Sequence, residues 1–270
     1  MKPTDLRHCR SLLFLPASNE RAIAKARTLA ADLVVLDLED AVRAEDKAAA
    51  RGQAIAACSE GFGDRLVAIR MNAQGTAYYG DDVVCVRRSA ADYVILAKVE
   101  SPRQAADAAW LTGKAILAMI ETPRGVIDAA AIAPATRGLI AGTNDLSAEL
   151  GIQPNQGRGG LIYALQRVVL AARAAGVAAF DGVYNGLEDD EGLEDECRQG
   201  RQFGFDGKSL IHPSQIATAN RLFGPSDEEV AAARRLIDAA TGGAERFEGR
   251  MIEDMHVAQA RAVLAKARAD

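Results

Sequence analysis

Eight short apolar runs, each followed by a segment with helical spacing, constrain this chain more than any other feature of its 270 residues. The runs fall at 12–15, 33–38, 66–71, 93–97, 116–120, 138–141, 177–180 and 209–211. They are continuous rather than alternating, which suits strands buried on both faces, as in a parallel sheet. Leu161, Leu165, Val168, Val169 and Ala172 mark one face of a helix, and Gly176 is placed to end it. Asn19 or Ser18 can cap a first helix, Ser101-Pro102 opens another, and Ser226 with Glu229 forms a capping box ahead of a third. Eight β-then-α units in a chain of this length predict an α/β fold, a (β/α)8 TIM barrel, which needs about 250 residues. A doubly wound open sheet is the alternative, because counting strands does not prove closure.

The barrel is expected over residues 1–241. Gly242-Gly243-Ala244 then reads as a flexible joint, and 251–269 as a further helix, so 242–270 is a C-terminal helical extension that can pack on its own barrel or reach a neighbouring subunit. The net charge of −5 is spread along the chain without a basic block, which argues against nucleic acid as a partner. Cys9, Cys58, Cys85 and Cys197 stand far apart and form no CxxC pair, the pattern of structural thiols in a reducing cytoplasm. The apolar stretch at 12–15 is cut by Pro16, too short for a signal peptide, and no uncharged run approaches the roughly 20 residues that span a bilayer. The chain therefore reads as soluble and cytoplasmic.

In this fold the chemistry gathers at the C-terminal ends of the strands. Those ends carry Asp37-Leu38-Glu39-Asp40, Arg70-Met71-Asn72, Lys98-Val99-Glu100, Glu121-Thr122-Pro123, Gly142-Thr143-Asn144-Asp145, Asp181, and Lys208 followed by His212-Pro213. Glu121 and Asp145 lie one βα unit apart. Two convergent carboxylates with few histidines nearby favour a hard cation, Mg²⁺ above all, that keeps waters for a substrate to replace. Alternatively each carboxylate caps the helix that follows it. Arg70 ends an apolar strand, and its planar fork suits a substrate carboxylate. A structural salt bridge to Glu39 or Asp40 is the other reading, and both can hold together. His212 reads more readily as a structural group than as a base.

The segments Ser11-Leu-Leu-Phe-Leu-Pro-Ala-Ser-Asn, Leu36-Asp-Leu-Glu-Asp-Ala, Arg70-Met-Asn, Lys98-Val-Glu-Ser-Pro, Glu121-Thr-Pro, Asp145-Leu and Gly207-Lys-Ser-Leu-Ile-His-Pro-Ser-Gln resemble the citrate lyase β-subunit-like family, within the aldolase/citrate lyase superfamily. The resemblance runs in order from about residue 10 to residue 255. It implies Mg²⁺ held by Glu121 and Asp145, a substrate carboxylate on Arg70, Glu39 and Asp40 lining the site, and a homotrimer or hexamer. It also implies a carbon–carbon lyase for citryl, malyl or citramalyl thioesters of CoA or acyl carrier protein. Such chemistry fits the residues: a 2-hydroxy-acid end can chelate Mg²⁺, a base removes the hydroxyl proton, a 2-oxo acid leaves, and the thioester enolate is protonated to acetyl-CoA. Backbone N–H groups at Gly142 and Thr143 are candidates to hold developing charge, and Arg21, Lys25, Arg27 and Lys98 to meet CoA.

Two departures stand out. Longer relatives carry Gly-x-Met-Ile/Val-Asp near the C-terminus, whose aspartate reaches a neighbouring subunit as acid/base. Here Gly249-Arg250-Met251-Ile252-Glu253-Asp254 puts Glu253 in that place. Ala97 stands where many relatives have proline. The rival enzyme is a class II pyruvate aldolase acting on free 4-hydroxy-2-oxo acids, which usually has histidine where Asp40 stands. From another class, a non-catalytic subunit of a lyase complex would be free to lose Glu121, Asp145 or Arg70, and all three are present.

Overall fold

The computed structural model describes residues 5–153 and 157–267 of the chain. Eight parallel strands close into a barrel in sequence order: β1 (Ser11–Pro16), β2 (Leu33–Asp37), β3 (Leu66–Met71), β4 (Tyr93–Leu96), β5 (Ala115–Ile120), β6 (Gly138–Ala141), β7 (Ala178–Asp181) and β8 (Gly207–Leu210). Each expected apolar run lies on one of them. Closure is fixed by β8 pairing with β1 through Ser11 to Lys208 and Leu13 to Leu210, which excludes the open sheet.

The helices that separate the strands start where the residue types direct. The Asn19 side chain accepts from Ala22 N–H at the head of α1 (Glu20–Ala26). Next come α2 (Lys47–Glu60) and α3 (Tyr79–Arg88). Ser101 and Gln104 form a reciprocal capping box at α4 (Pro102–Thr112), with Pro102 in the first turn, where its missing N–H costs nothing. Thr122 caps α5 (Pro123–Ile132), and α6 (Thr143–Glu149) follows Gly142. Gly176 ends α7 (Ile162–Ala175) in the left-handed conformation. Then come α8 (Asp190–Phe203), α9 (Ile216–Phe223) and α10 (Asp227–Ala239), the last opened by the Ser226–Glu229 capping box.

Strand parity divides the side chains into two cores. Leu12, Leu33, Val35, Ala68, Ile95, Leu117, Ile140 and Phe180 fill the barrel interior. Leu13, Val34, Leu36, Ile69, Val94, Ala118, Leu139 and Leu210 face the helices and form the larger core. The same parity corrects one expectation. Asp181 and Lys208 do not stand in the barrel mouth but point outward beneath α8. There Lys208 Nζ lies 3.2 Å from Asp181 and 2.6 Å from Glu196, and Arg158 forks onto Asp181 at 2.6 and 2.9 Å. Burial alone would raise the Asp181 carboxyl, but Lys208 and Arg158 outweigh it and hold the group below its ordinary value. Removing one member of such a buried set strands the others. Lys208→Met is therefore expected to destabilise the fold by on the order of 3 kcal/mol, read as a lowered urea midpoint with an unchanged slope.

The extension departs from expectation too. Residues 251 and 252 are not helical: β9 (Glu245–Phe247) and β10 (Arg250–Ile252) make a two-stranded hairpin, and α11 (Asp254–Ala267) begins only after it. Glu248 and Gly249 turn that hairpin with φ of 44° and 79°, the pair of positive values a two-residue turn requires. α11 packs along α10, and the last residues of the expected helix, 268 and 269, lie outside the described residues. The four cysteines are buried and form no disulfide among the described residues. Among the described residues no helix is long and apolar enough to cross a membrane.

Candidate active site

The C-terminal mouth of the barrel holds a cavity of about 420 Å³. Its acids and base arrive there by parity. Asp37 follows Leu33 and Val35 on the inward face of β2, Arg70 follows Leu66 and Ala68 on β3, and Glu121 follows Leu117 and Met119 just past β5. Asp145 comes from the first turn of α6, and Asp40 from the loop after β2.

Arg70 is the centre of the arrangement. Its Nε and Nη2 donate to the two Asp37 carboxylate oxygens at 2.6 and 2.5 Å, a bidentate pair, and Nη1 lies 2.8 Å from Glu39 Oε2 as an ion pair without hydrogen-bond alignment. The partner expected from sequence was Glu39 or Asp40; Glu39 is one, Asp37 is the stronger, and Asp40 is not. The guanidinium also stacks 5.4 Å over the Phe14 ring. Burial would lower the Arg70 pKa, but Asp37 and Glu39 raise it, so the group is permanently charged. Nη1 also donates to Met119 Sδ at 3.7 Å, and the guanidinium lines the cavity, where a ligand carboxylate would meet it.

Asp37 also sets the loop that follows it. It accepts from Glu39 N–H at 2.9 Å and Ala41 N–H at 3.2 Å. Lys47 clamps the same loop by donating to the Leu38 and Glu39 carbonyls at 2.7 and 3.0 Å, and the Asn72 amide donates to Leu38 at 2.9 Å. Glu39 and Asp40 are thereby held apart. Asp40 is exposed and lines the cavity, whereas Glu39 is buried behind it. Burial raises the Glu39 carboxyl, Arg70 opposes the shift, and Asp40 adds to it.

Glu121 is 1% exposed and does not cap α5; Thr122 does. Nor does Asp145 cap α6, which starts from Gly142. The capping reading thus fails for both acids. Glu121 Oε1 accepts from the Lys98 N–H at 2.7 Å, and Lys98 Nζ reaches Asp145 at 3.2 Å. Burial, with Glu39 nearby, pushes the Glu121 carboxyl up to about 7 against the opposing pull of the Lys98 N–H. A buried carboxylate in that condition is short of positive charge. Its donors are all oxygen, and among the described residues no cluster of three or more His, Cys, Asp or Glu closes an all-protein metal cage. A hard divalent cation that keeps positions for water and substrate fits this pair.

Gly142 and Thr143 are both at the site. The Gly142 N–H is already given to the Ile120 carbonyl at 3.0 Å, so it is not available to hold charge on a ligand. What the position supplies is room: a Cβ there would stand 2.3 Å from Glu121 Cβ. Thr143 Oγ1 and Ser209 Oγ are buried hydroxyls lining the cavity without a hydrogen-bond partner, which polar groups seldom tolerate unless a ligand or water completes them. Ser209 was not expected, though its inward parity on β8 marks it. Lys98, a strand-end residue that the sequence offers as a CoA contact, is the group that touches Glu121, Asp145 and Glu39. His212 caps the short turn Pro213–Gln215 and does not line the cavity. Arg27 is tied to the Gly61 carbonyl and to Glu60. Glu253 is exposed at the start of α11, and among the described residues none of the extension lines the cavity of its own chain.

Three comparisons bear on this arrangement. A (3S)-malyl-CoA thioesterase of Cereibacter sphaeroides is 42% identical over 96% of this chain and 95% of its own length. A citrate lyase subunit beta-like protein of Deinococcus radiodurans is 37% identical over 95% and 96%. The crystal structure of protein CitE from Mycobacterium tuberculosis, in complex with magnesium, acetoacetate and coenzyme A, superposes with a TM-score of 0.82 at 36% identity, covering 97% of this chain and 100% of that one. The family model for HpcH/HpaI aldolase/citrate lyase matches residues 10–213, which includes every strand of the barrel and every residue of the cavity, and the chain belongs to that family.

Proposed function

We propose that this protein is a Mg²⁺-dependent carbon–carbon lyase that cleaves a 3-hydroxyacyl-CoA thioester of the malyl, citramalyl or citryl type into acetyl-CoA and a 2-oxo acid. The observation that carries the reading is the convergence of Glu121, Asp145 and the Arg70 guanidinium on one cavity. Such a set is built to grip a 2-hydroxy carboxylate, the end of the substrate where the carbon–carbon bond breaks. The Mycobacterium tuberculosis structures complexed with oxaloacetate and magnesium, and with magnesium, acetoacetate and coenzyme A, support the same ligand classes.

Glu121 and Asp145 are the residues that would hold the cation. When bound, it supplies Lewis acidity to the hydroxyl and to the carbonyl formed from it. Arg70, locked by Asp37 and Glu39, orients the carboxylate, so that entropy of positioning is lost before the chemical step. Asp40, the exposed carboxylate on the cavity wall, is the proposed base for the hydroxyl proton, with Glu39 fixing Arg70 and Lys98 behind it. As that proton leaves, the O–H pair becomes the new carbonyl and the electrons of the broken bond move to the thioester α-carbon. Thr143 and Ser209 offer hydroxyls to the oxygens of the departing acid. The enolate then needs an acid, and Glu253 is proposed for it. Among the described residues of the extension none lines the cavity of its own chain, so Glu253 is proposed to come from a neighbouring copy in a homotrimer or hexamer.

One specific observation favours a second reading. The Cereibacter relatives are named thioesterases, and hydrolysis of the same malyl-CoA would yield the free hydroxy diacid and CoA with no carbon–carbon cleavage. The hydroxy-acid grip serves either outcome, while the breakage needs the base beside it. Product analysis with malyl-, citramalyl- and citryl-CoA separates the two: a 2-oxo acid with acetyl-CoA supports the lyase, and free CoA alone supports hydrolysis. Cleavage of free 4-hydroxy-2-oxo acids, with every thioester left intact, would replace both by an aldolase.

A further inference from the structure

Five carboxylates, those of Asp37, Glu39, Asp40, Glu121 and Asp145, stand in or against one barrel mouth, and two cations, Arg70 and Lys98, face them. Arg70 is committed to Asp37 and Glu39. Lys98 is held differently. Its backbone sits at φ 51°, in the left-handed region that residues with side chains rarely adopt, and this turn gives one residue two contacts with the proposed metal pair. The backbone N–H meets Glu121 Oε1 at 2.7 Å, and the ammonium lies 3.2 Å from Asp145 Oδ1 and 3.5 Å from Glu39 Oε1. A residue in strained backbone that touches both members of a ligand pair points to function rather than to accident.

The two contacts differ in what they permit. An N–H on one Glu121 oxygen leaves the other oxygen free for a cation. An ammonium on Asp145 Oδ1 competes with a cation for that carboxylate, because the two positive charges repel each other. Resting on the divalent-cation reading above, we propose that Lys98 is a positioning residue, a built-in counter-cation that neutralises the acid cluster while it is unloaded and must move from Asp145 to Glu39 when a divalent cation is held. Glu39 is the receiver, already within 3.5 Å of the ammonium. Affinity for the cation is then set by Lys98 and Glu39 together, and not by Glu121 and Asp145 alone.

Titration calorimetry with Mg²⁺ alone tests this, on the full chain and on Lys98→Met, Glu39→Gln and the double variant. Lys98→Met removes the competitor and is expected to bind Mg²⁺ about tenfold more tightly, the scale of one neighbouring charge at a partly exposed site. Lys98→Gly accepts positive φ freely and should give the same gain, which keeps the test valid if the methionine variant folds poorly. Without Mg²⁺ both variants should melt below the parent, and they should recover more than the parent does when Mg²⁺ is added. Glu39→Gln should weaken binding in the parent and weaken it less in the Lys98→Met background, since no ammonium is left to receive. Equal or weaker Mg²⁺ binding by folded Lys98→Met and Lys98→Gly would overturn the proposal while leaving the metal reading intact. A parent chain that binds no Mg²⁺ at millimolar concentration would instead overturn the metal reading, and this inference with it.

Discussion

Glu121→Gln is expected to lower kcat/KM by on the order of 10³-fold and to abolish Mg²⁺ binding in calorimetry, with little change in melting temperature. The substitution is nearly isosteric. The amide oxygen can still accept from the Lys98 N–H, now at 2.7 Å from Glu121 Oε1, so the local fold keeps its hydrogen bond. What disappears is the negative charge. Burial already holds that charge at a disadvantage, pushing the carboxyl up to about 7, so the site has no surplus from which to replace it. A Lewis acid contributes several kcal/mol to a transition state that develops charge on oxygen, and each 1.4 kcal/mol is about tenfold in rate. Asp145→Asn should follow the same pattern to a smaller degree, because Asp145 is about a third exposed and water can fill its place. Retention of metal-dependent turnover by Glu121→Gln would show that the cation is held elsewhere.

Gly142→Ala is the second large effect, and it acts by volume rather than charge. The added Cβ would stand 2.3 Å from Glu121 Cβ and 2.6 Å from Glu121 Oε2, distances no packed carbon tolerates. Gly142 is pinned on its other side, since its N–H is bonded to the Ile120 carbonyl and it opens α6. The backbone therefore has little freedom to withdraw, and Glu121 must turn away. Overpacking of this kind costs about 1–3 kcal/mol of stability. Displacing a reacting group by about 1 Å costs on the order of 10²-fold in rate. The expected result is a folded protein, somewhat less stable, that has lost at least that factor in kcat/KM and has weakened Mg²⁺ binding. Gly142→Ala with normal turnover would mean that Glu121 does not work in the rotamer it shows.

The barrel was legible because its strands are buried on both faces. A run such as Leu33-Val-Val-Leu has few other uses, and each of the eight runs lies on a strand. Even the weakest of them, around Ser209, was placed by its position after seven regular units. The facing of each polar residue was less legible. Asp181 and Lys208 read as mouth residues because they end strands, but a strand end has two sides, and theirs packs under α8 with Glu196 and Arg158. Counting parity from Phe180 and Ser209 would have shown it.

Asp37 was passed over for the same reason. The adjacent Glu39 and Asp40 are equally acidic, but Asp37, in step with Leu33 and Val35, is the residue that takes the Arg70 fork. Lys98 could not be placed from sequence, since nothing in a lysine announces positive φ. The hairpin before α11 was missed because its strands are three residues each and its turn is Glu248-Gly249 rather than the more telling Asn-Gly. The extension itself carries no mark of where it docks. Its exposed Glu253 gains meaning only from the resemblance of the 249–254 segment to longer relatives, and it is not among the residues that line the cavity of its own chain.

The central claim is that Glu121, Asp145 and Arg70 grip a 2-hydroxy-acid end so that a carbon–carbon bond can break beside it. It is tested most directly by incubating the purified protein with malyl-, citramalyl- and citryl-CoA, with and without Mg²⁺, and identifying every product by mass. The account predicts acetyl-CoA and one 2-oxo acid in equal amounts from a single preferred thioester, only with Mg²⁺, and from neither Glu121→Gln nor Asp145→Asn at a comparable rate. Free CoA and an intact hydroxy diacid from the parent protein, with no 2-oxo acid at any time point, would contradict it.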